Sequence, residues 1–265
     1  MEIKELTTVK DRILDILFPP QCLSCSIMVG ETGTLCSNCW QKISFLEGAC
    51  CQACGLPFEF DLGPDAFCGA CSQNRPLFRR ARAAMIYNEA SRDLILSFKH
   101  GDRTNAAAAY GKWLYRTELQ LVEENDLLLP VPLHWSRLFH RRYNQAALLA
   151  VEIGKICKMP VETSLLLRPK KTASQGHKTP NQRYNNLRGA FSVPVQAETK
   201  LKGKRVLLVD DVFTTGATVS ACSKTLLQAG VKSVDVLTLA RVVRTETSQL
   251  AESSLPSDDD FLTKI

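Results

Sequence analysis

The stretch Val206-Leu207-Leu208-Val209-Asp210-Asp211-Val212-Phe213-Thr214-Thr215-Gly216-Ala217-Thr218 restricts the fold of this chain more than any other. Four apolar residues run into two adjacent carboxylates, then into a hydroxyl- and glycine-rich turn that opens a helical pattern over 217–229. An apolar run without polar alternation reads as a buried strand, the kind that parallel α/β sheets use. A buried strand ending in such a turn gathers backbone N–H groups and the positive end of a helix into one concavity, a ready phosphate site. The two carboxylates beside it can accept hydrogen bonds from vicinal hydroxyls. The implied ligand is a phosphate attached to a ribose diol.

The stretch resembles, without gaps, the phosphoribosyl diphosphate (PRPP) loop of type I phosphoribosyltransferases. That resemblance implies a parallel sheet flanked by helices. Asp210 and Asp211 would bind the ribose hydroxyls and carry the catalytic role. Thr214, Thr215, Gly216, Ala217 and Thr218 would hold the 5′-phosphate and Val212 would line the PRPP site, with Mg²⁺ accompanying PRPP. The bland alternative is an ordinary strand–turn–helix joint with an acidic end.

Nine of the 11 cysteines fall between Cys22 and Cys71. They read Cys22-x2-Cys25-x10-Cys36-x2-Cys39 and Cys51-x2-Cys54-x13-Cys68-x2-Cys71, with Cys50 left over. Each Cys-x2-Cys pair can form a knuckle, and two knuckles about a dozen residues apart close a tetrahedral zinc site. Two structural zincs are the expectation, ahead of an Fe–S cluster or reversible disulfides. The spacing favours adjacent pairing of knuckles but leaves an interleaved one open. Residues 21–75 hold too little apolar sequence for a metal-free core. Cys157 and Cys222 sit in helical apolar patterns and read as small core residues. Residues 1–20 carry acids and lack a signal-peptide pattern, which with the cysteine usage points to the cytoplasm. No apolar run reaches the length of a membrane span.

Charge is uneven along the chain. Residues 75–244 carry 28 basic against 13 acidic residues, a balance of +15, whereas residues 1–74 and 245–265 are net acidic. The densest basic part runs from Arg137 to Arg188, opposed only by Glu152 and Glu162. Such a surface suits a polyanion, either PRPP or nucleic acid.

The organisation follows. Residues 1–20 contain a short amphipathic helix stopped by Pro19-Pro20, suited to its own domain, a partner or a membrane surface. Residues 21–75 form the double ribbon and 76–243 the α/β domain, and 244–265 is an acidic tail. Strands are predicted at 81–87, 127–131, 161–167, 190–193 and 234–240, with helices at 91–99 and 104–123 and another ending near Lys158. The strand at 127–131 runs into Pro132-Leu133-His134 and then Arg137, at the same sheet edge as Asp210. In phosphoribosyltransferases the corresponding turn contacts pyrophosphate, which implies that role for Leu133, His134 and Arg137. His134 alone reads equally as a solvated loop histidine. Arg168 to Thr179 is long, polar and basic, the signature of a functional lid or a disordered loop.

Pro130-Val131-Pro132-Leu133-His134, then Arg141-Arg142-Tyr143-Asn144-Gln145-Ala146 and Gly189-Ala190-Phe191, set behind cysteine ribbons, make the chain similar to the ComF (ComFC, GntX-like) family over about residues 12–243. Arg142 departs from the family's usual glycine, and Cys50 is extra. The resemblance implies a role in natural competence and DNA uptake, with the competence translocase proteins as partners. Two further readings stay open. One is a non-catalytic module holding single-stranded DNA on Arg141, Arg142, Arg168, Lys170, Lys171, Lys178, Arg183 and Arg188. There Trp135, Phe139, Tyr143 and Tyr184 would stack on bases, unless they pack in the core. The other is a purine-salvage phosphoribosyltransferase, for which the sequence identifies no nucleobase pocket.

Overall fold

The computed structural model describes residues 19–100, 104–171 and 187–243. The amphipathic segment 9–18, the loop residues Lys178, Arg183 and Tyr184, and the acidic tail lie outside them. After α1 (Ser37–Trp40) and α2 (Gly69–Gln73) the chain runs β1 (Ala81–Ile86), α3 (Glu89–His100), α4 (Ala106–Thr117), α5 (Leu119–Glu123) and β2 (Leu127–Pro130). It continues through α6 (Trp135–Arg141), α7 (Gln145–Cys157), α8 (Val195–Leu201), β3 (Arg205–Phe213), α9 (Ala217–Gln228) and β4 (Ser233–Arg241).

Among the described residues the sheet has strand order β1-β4-β3-β2, with every pairing parallel. Val206, Leu207, Leu208 and Val209 are fully buried, because β3 is covered on both faces. Leu207 and Val209 join the core beneath α3, α4 and α7, whereas Val206 and Leu208 join the core beneath α8 and α9. This alternation makes a helix–sheet–helix sandwich and sends polar chemistry to the rims.

The rim at the amino ends of the strands is closed by ion pairs. Arg79 and Arg80 precede β1 and Arg205 opens β3, facing Glu124, Asp126 and the fully buried Asp235. Arg79 bonds both Asp235 and Glu124, and Asn125 donates to Asp235 at 2.9 Å. Arg205 holds the Asp126 carboxyl down to about 2.

The two ribbons grip the edge strand β1 from opposite sides. Leu23 and Ile43 of the first enter the core that contains α4, and Cys54 of the second packs on the core beneath α9. Their backbones also cap β1, with Leu46 N donating to Ala84 O at 2.9 Å and Ala81 N to Ala53 O at 2.7 Å. An exposed strand edge is thereby paired.

Several sequence expectations are corrected. The helix expected over 104–123 breaks at Glu118 (φ −147°), whose carboxylate turns aside to Arg82 Nε at 3.0 Å. Residues 161–167 and 190–193 are not strands. They form only single bridges, Leu128 to Val161 and Leu167 to Ser192, while Leu165, Leu166 and Phe191 are buried as core cover. Apolar content there reflects packing, not pairing. Helix α8 was not foreseen, and the stretch before Lys158 is two helices divided at Arg142, which adopts φ +64°. The carboxylates lie within β3, which runs on to Phe213, rather than after its end.

Gly55 follows the third knuckle at φ +70°, and a Cβ there would meet Ala81 O at 2.4 Å. Gly55→Ala combines left-handed backbone with a clash against rigid strand and is expected to cost about 2 kcal/mol or more. Urea unfolding measures it. Gly63→Ala, where φ is +89° but the space is open, isolates the backbone share.

Candidate functional site

At the carboxyl rim, β3 carries Asp210 and Asp211 into Phe213, and residues 214–216 turn into α9. Gly216 sits at φ +75°, and a Cβ there would lie 2.8 Å from Phe213 Cζ, so only glycine fits this turn without displacement. No side chain caps α9. Its first-turn N–H groups are therefore open to an anionic acceptor. Thr215 Oγ1 is buried with no hydrogen-bond partner among the described residues, a hydroxyl placed for a ligand oxygen.

The two carboxylates differ. Asp211 Oδ2 lies 2.9 Å from Lys99 Nζ, which reaches in from α3. Asp210 Oδ1 accepts the Asp211 backbone N–H at 2.9 Å. Burial pushes the Asp210 carboxyl up to about 7, the Asp211 charge adding to the rise and Lys99 and Arg168 opposing it. Neighbouring carboxylates that share a site resist double ionisation in this way.

The turn after β2 reaches the same rim, tied by Val131 N donating to Val209 O at 2.8 Å. His134 is buried and caps α6: its Nδ1 accepts Ser136 N–H at 3.2 Å and lies 2.8 Å from Ser136 Oγ. A solvated loop histidine is thereby replaced by an oriented ring whose proton sits on Nε2. Leu133 and Arg137 are half-buried beside it. Helix α6 buries no residue, and Trp135 and Phe139 are 71% and 81% exposed. Core packing of those two aromatics is overturned, because α6 stands off the sheet.

Tyr143 has a different task from base stacking. Its hydroxyl donates to Phe98 O at 2.8 Å, and Gln145 Nε2 donates to Lys99 O at 3.2 Å. Asn144 caps α7 through Ala146 N and donates to Val131 O at 3.0 Å. The Tyr-Asn-Gln triplet clasps the carboxyl end of α3 against the β2 turn, and so directs Lys99 at Asp211. Arg141 Nη1 donates to Gln145 Oε1 at 3.3 Å, and Arg142 is exposed in the left-handed conformation that glycine adopts without strain.

Arg168 is buried, with its guanidinium carbon 5.3 Å from the Phe191 ring centroid and its charge acting on Asp210. It is therefore part of the floor, not of a solvent-facing lid. Lys170, Lys171 and Arg188 are exposed as expected, with Lys170 Nζ 3.5 Å from Arg188 O.

The cysteines resolve into two sets of four, Cys22, Cys25, Cys36, Cys39 and Cys51, Cys54, Cys68, Cys71, with all ligand sulfurs of each set within 4.8 Å of one another. Adjacent knuckles pair. Cys25 to Cys36 and Cys54 to Cys68 are both 3.7 Å, close to the about 3.8 Å edge of a tetrahedron with zinc–sulfur bonds of about 2.3 Å. The sets are near copies: Cys36 N donates to Cys22 Sγ and Cys68 N to Cys51 Sγ, both at 3.3 Å. Ser26 and Gly55 both adopt left-handed backbone after their knuckles. Cys50 belongs to neither set, and burial raises its thiol above the usual range. Cys222 is core, and Cys157 packs at its margin.

Comparison with known proteins agrees with this anatomy. A double zinc ribbon domain matches residues 13–72, and a phosphoribosyl transferase domain matches residues 146–256. Competence protein F of Haemophilus influenzae is 31% identical over 228 residues, covering 83% of this chain and 96% of that protein. The chain belongs to the ComF family. Within it, the DNA utilization protein YhgH of Salmonella typhimurium is 32% identical over 79% of this chain and 91% of its own length. Competence protein ComFC of Bacillus subtilis is 26% identical over 78% and 84%. This ComF-family chain thus has the type I phosphoribosyltransferase-like fold behind two structural zinc ribbons. Among the described residues, no helix is long and apolar enough to cross a membrane.

Lys99 was not singled out from the sequence, since Phe98-Lys99-His100 reads as an ordinary helix end. A signal existed in Tyr143 and Gln145, whose side chains donate to the last carbonyls of α3.

The folded chain keeps a proton on Asp210 up to about pH 7, whereas an ordinary aspartate loses it near 3.8. Stability from this site therefore falls as pH rises across that window. Asp210→Asn should match wild type at pH 4 and melt a few degrees higher at pH 8, in thermal scans at both values. In a separate measurement, elemental analysis should find two zincs per wild-type chain and one in Cys68→Ser.

Proposed function

We propose that this ComF-family protein binds Mg²⁺–PRPP at the carboxyl rim of its sheet and acts in DNA uptake, as its competence relatives are named for. The observation that carries this reading is the buried, unpartnered Thr215 hydroxyl beside the uncapped α9 and the Asp210–Asp211 pair. The amides of α9, with Thr214, Thr215 and Thr218, take the 5′-phosphate, Gly216 and Ala217 letting the backbone approach. Asp210 and Asp211 accept the ribose hydroxyls, which needs Asp210 ionised, so affinity rises as pH increases through about 7.

Mg²⁺ arriving with PRPP would supply positive charge to the pyrophosphate. The residues around it divide the remaining work. Lys99, Arg137 and the His134 Nε2–H face developing negative charge on the leaving group, and the carboxylates stabilise positive charge growing on the ribose. The acceptor of any phosphoribosyl transfer is not defined by the residues present, so no general base is assigned.

A second reading rests on a separate observation, the exposed Trp135 and Phe139 on a helix that also bears Arg137 and Arg141. Bases of single-stranded DNA stack on such rings while arginines track the backbone. The two ligands share one rim and are compatible. The cytoplasm and the competence translocase as partner follow from the same reading.

Calorimetric titration with Mg²⁺–PRPP tests the first reading: Asp211→Ala should lower affinity more than tenfold and Lys99→Ala about tenfold, the scale of one charge-assisted contact. Absence of wild-type binding would overturn it. For DNA, the Trp135→Ala/Phe139→Ala pair should weaken an oligonucleotide about tenfold or more with its salt dependence retained. A wild-type affinity indifferent to salt argues against this surface.

A further inference from the structure

Arg241, the last residue of β4, is only 5% exposed. A guanidinium at that depth needs opposing charge, yet among the described residues it forms no ion pair with a carboxylate. Its Nη1 donates instead to the carbonyl oxygen of Cys54, a ligand of the second ribbon. Four thiolates on a divalent ion leave a formal charge of −2. The Arg241 charge acts on Cys54, and the thiolate set of the metal-loaded ribbon supplies the opposing charge.

On its other side the guanidinium carbon stands 5.1 Å from the Phe213 ring centroid, within cation–π range. Phe213 and Arg241 are register partners across β3 and β4, and Val242 N donates to Phe213 O at 2.9 Å. The same ring is the surface against which Gly216 lies so closely that a Cβ would clash. Phe213 is also the residue from which the loop with Thr214 and Thr215 departs. One continuous line of contacts thus joins a cysteine of the second ribbon to the turn that opens α9. The first ribbon packs on the opposite face of the sheet, through Leu23 and Ile43.

We propose that Arg241 is a positioning residue that couples the second ribbon, and not the first, to the geometry of the 213–218 loop. The loop's conformation depends on Arg241 whatever ligand it holds. That the ligand is PRPP rests on the function proposed above.

The test uses the full chain and two readouts, amide hydrogen exchange of peptides spanning 213–218 and titration with Mg²⁺–PRPP. Arg241→Met should retain two zincs per chain, raise loop exchange severalfold and lower PRPP affinity about tenfold, with Arg241→Lys recovering part of both. Cys68→Ser should loosen the same peptides, and Cys36→Ser should leave their exchange unchanged. Unchanged loop exchange in Arg241→Met and Cys68→Ser, or equal loosening by Cys36→Ser, overturns the coupling. Should Arg241→Met fail to fold, Phe213→Leu takes its place: it removes the ring while sparing the guanidinium, and must loosen the loop if the line of contacts is real. A wild-type chain that binds no PRPP but shows this exchange pattern defeats the ligand assignment and leaves the coupling standing.

Discussion

Burial of β3 on both faces is the constraint from which the rest follows. Val206 to Val209 have no water on either side, so the strand can carry polar groups only at its ends. Parallel pairing on both flanks then gathers the ends of β2, β3 and β4 on one rim. Asp210, the β2 turn and α9 meet there by geometry alone. The near-neutral titration of Asp210 comes from the same burial, continued one residue too far for a carboxylate to remain comfortably charged.

The ribbons solve a separate difficulty. A sheet that ends in β1 exposes a row of backbone groups, and the short apolar segments around the cysteines cannot fold on hydrophobic burial alone. Each deficiency is met by the other. The metal sites give the ribbons shape, and the shaped ribbons then supply hydrogen-bond partners to β1 at Ala81, Ala84 and Ile86. Gly55 marks how close that approach is, since its backbone lies against Ala81.

Much of this was legible in the residues because it is written in local spacing. Val206–Thr218 announced strand, rim and loop, and the cysteine intervals announced two four-ligand sites whose adjacent pairing the sulfur positions then decided. What escaped depends on contacts distant in sequence. Lys99 meets Asp211 across 112 positions, as their numbers show. Arg168 looked like one more lid cation but is held beneath the site by Phe191, and Tyr143 looked like a stacking ring but spends its hydroxyl on Phe98 O. Residues 161–167 misled for a different reason. Apolar density reports burial, and burial against a sheet resembles membership of one.

The ion pairs at the amino rim set three arginines against three acids, and Lys202, Lys204 and Lys232 stay exposed beside them. At the opposite rim Arg142, Lys170 and Lys171 are exposed. Exposed cations thus stand at both rims of the sheet. A long anionic strand would be drawn in before it touched anything, and dilute buffer would lengthen the reach of that pull.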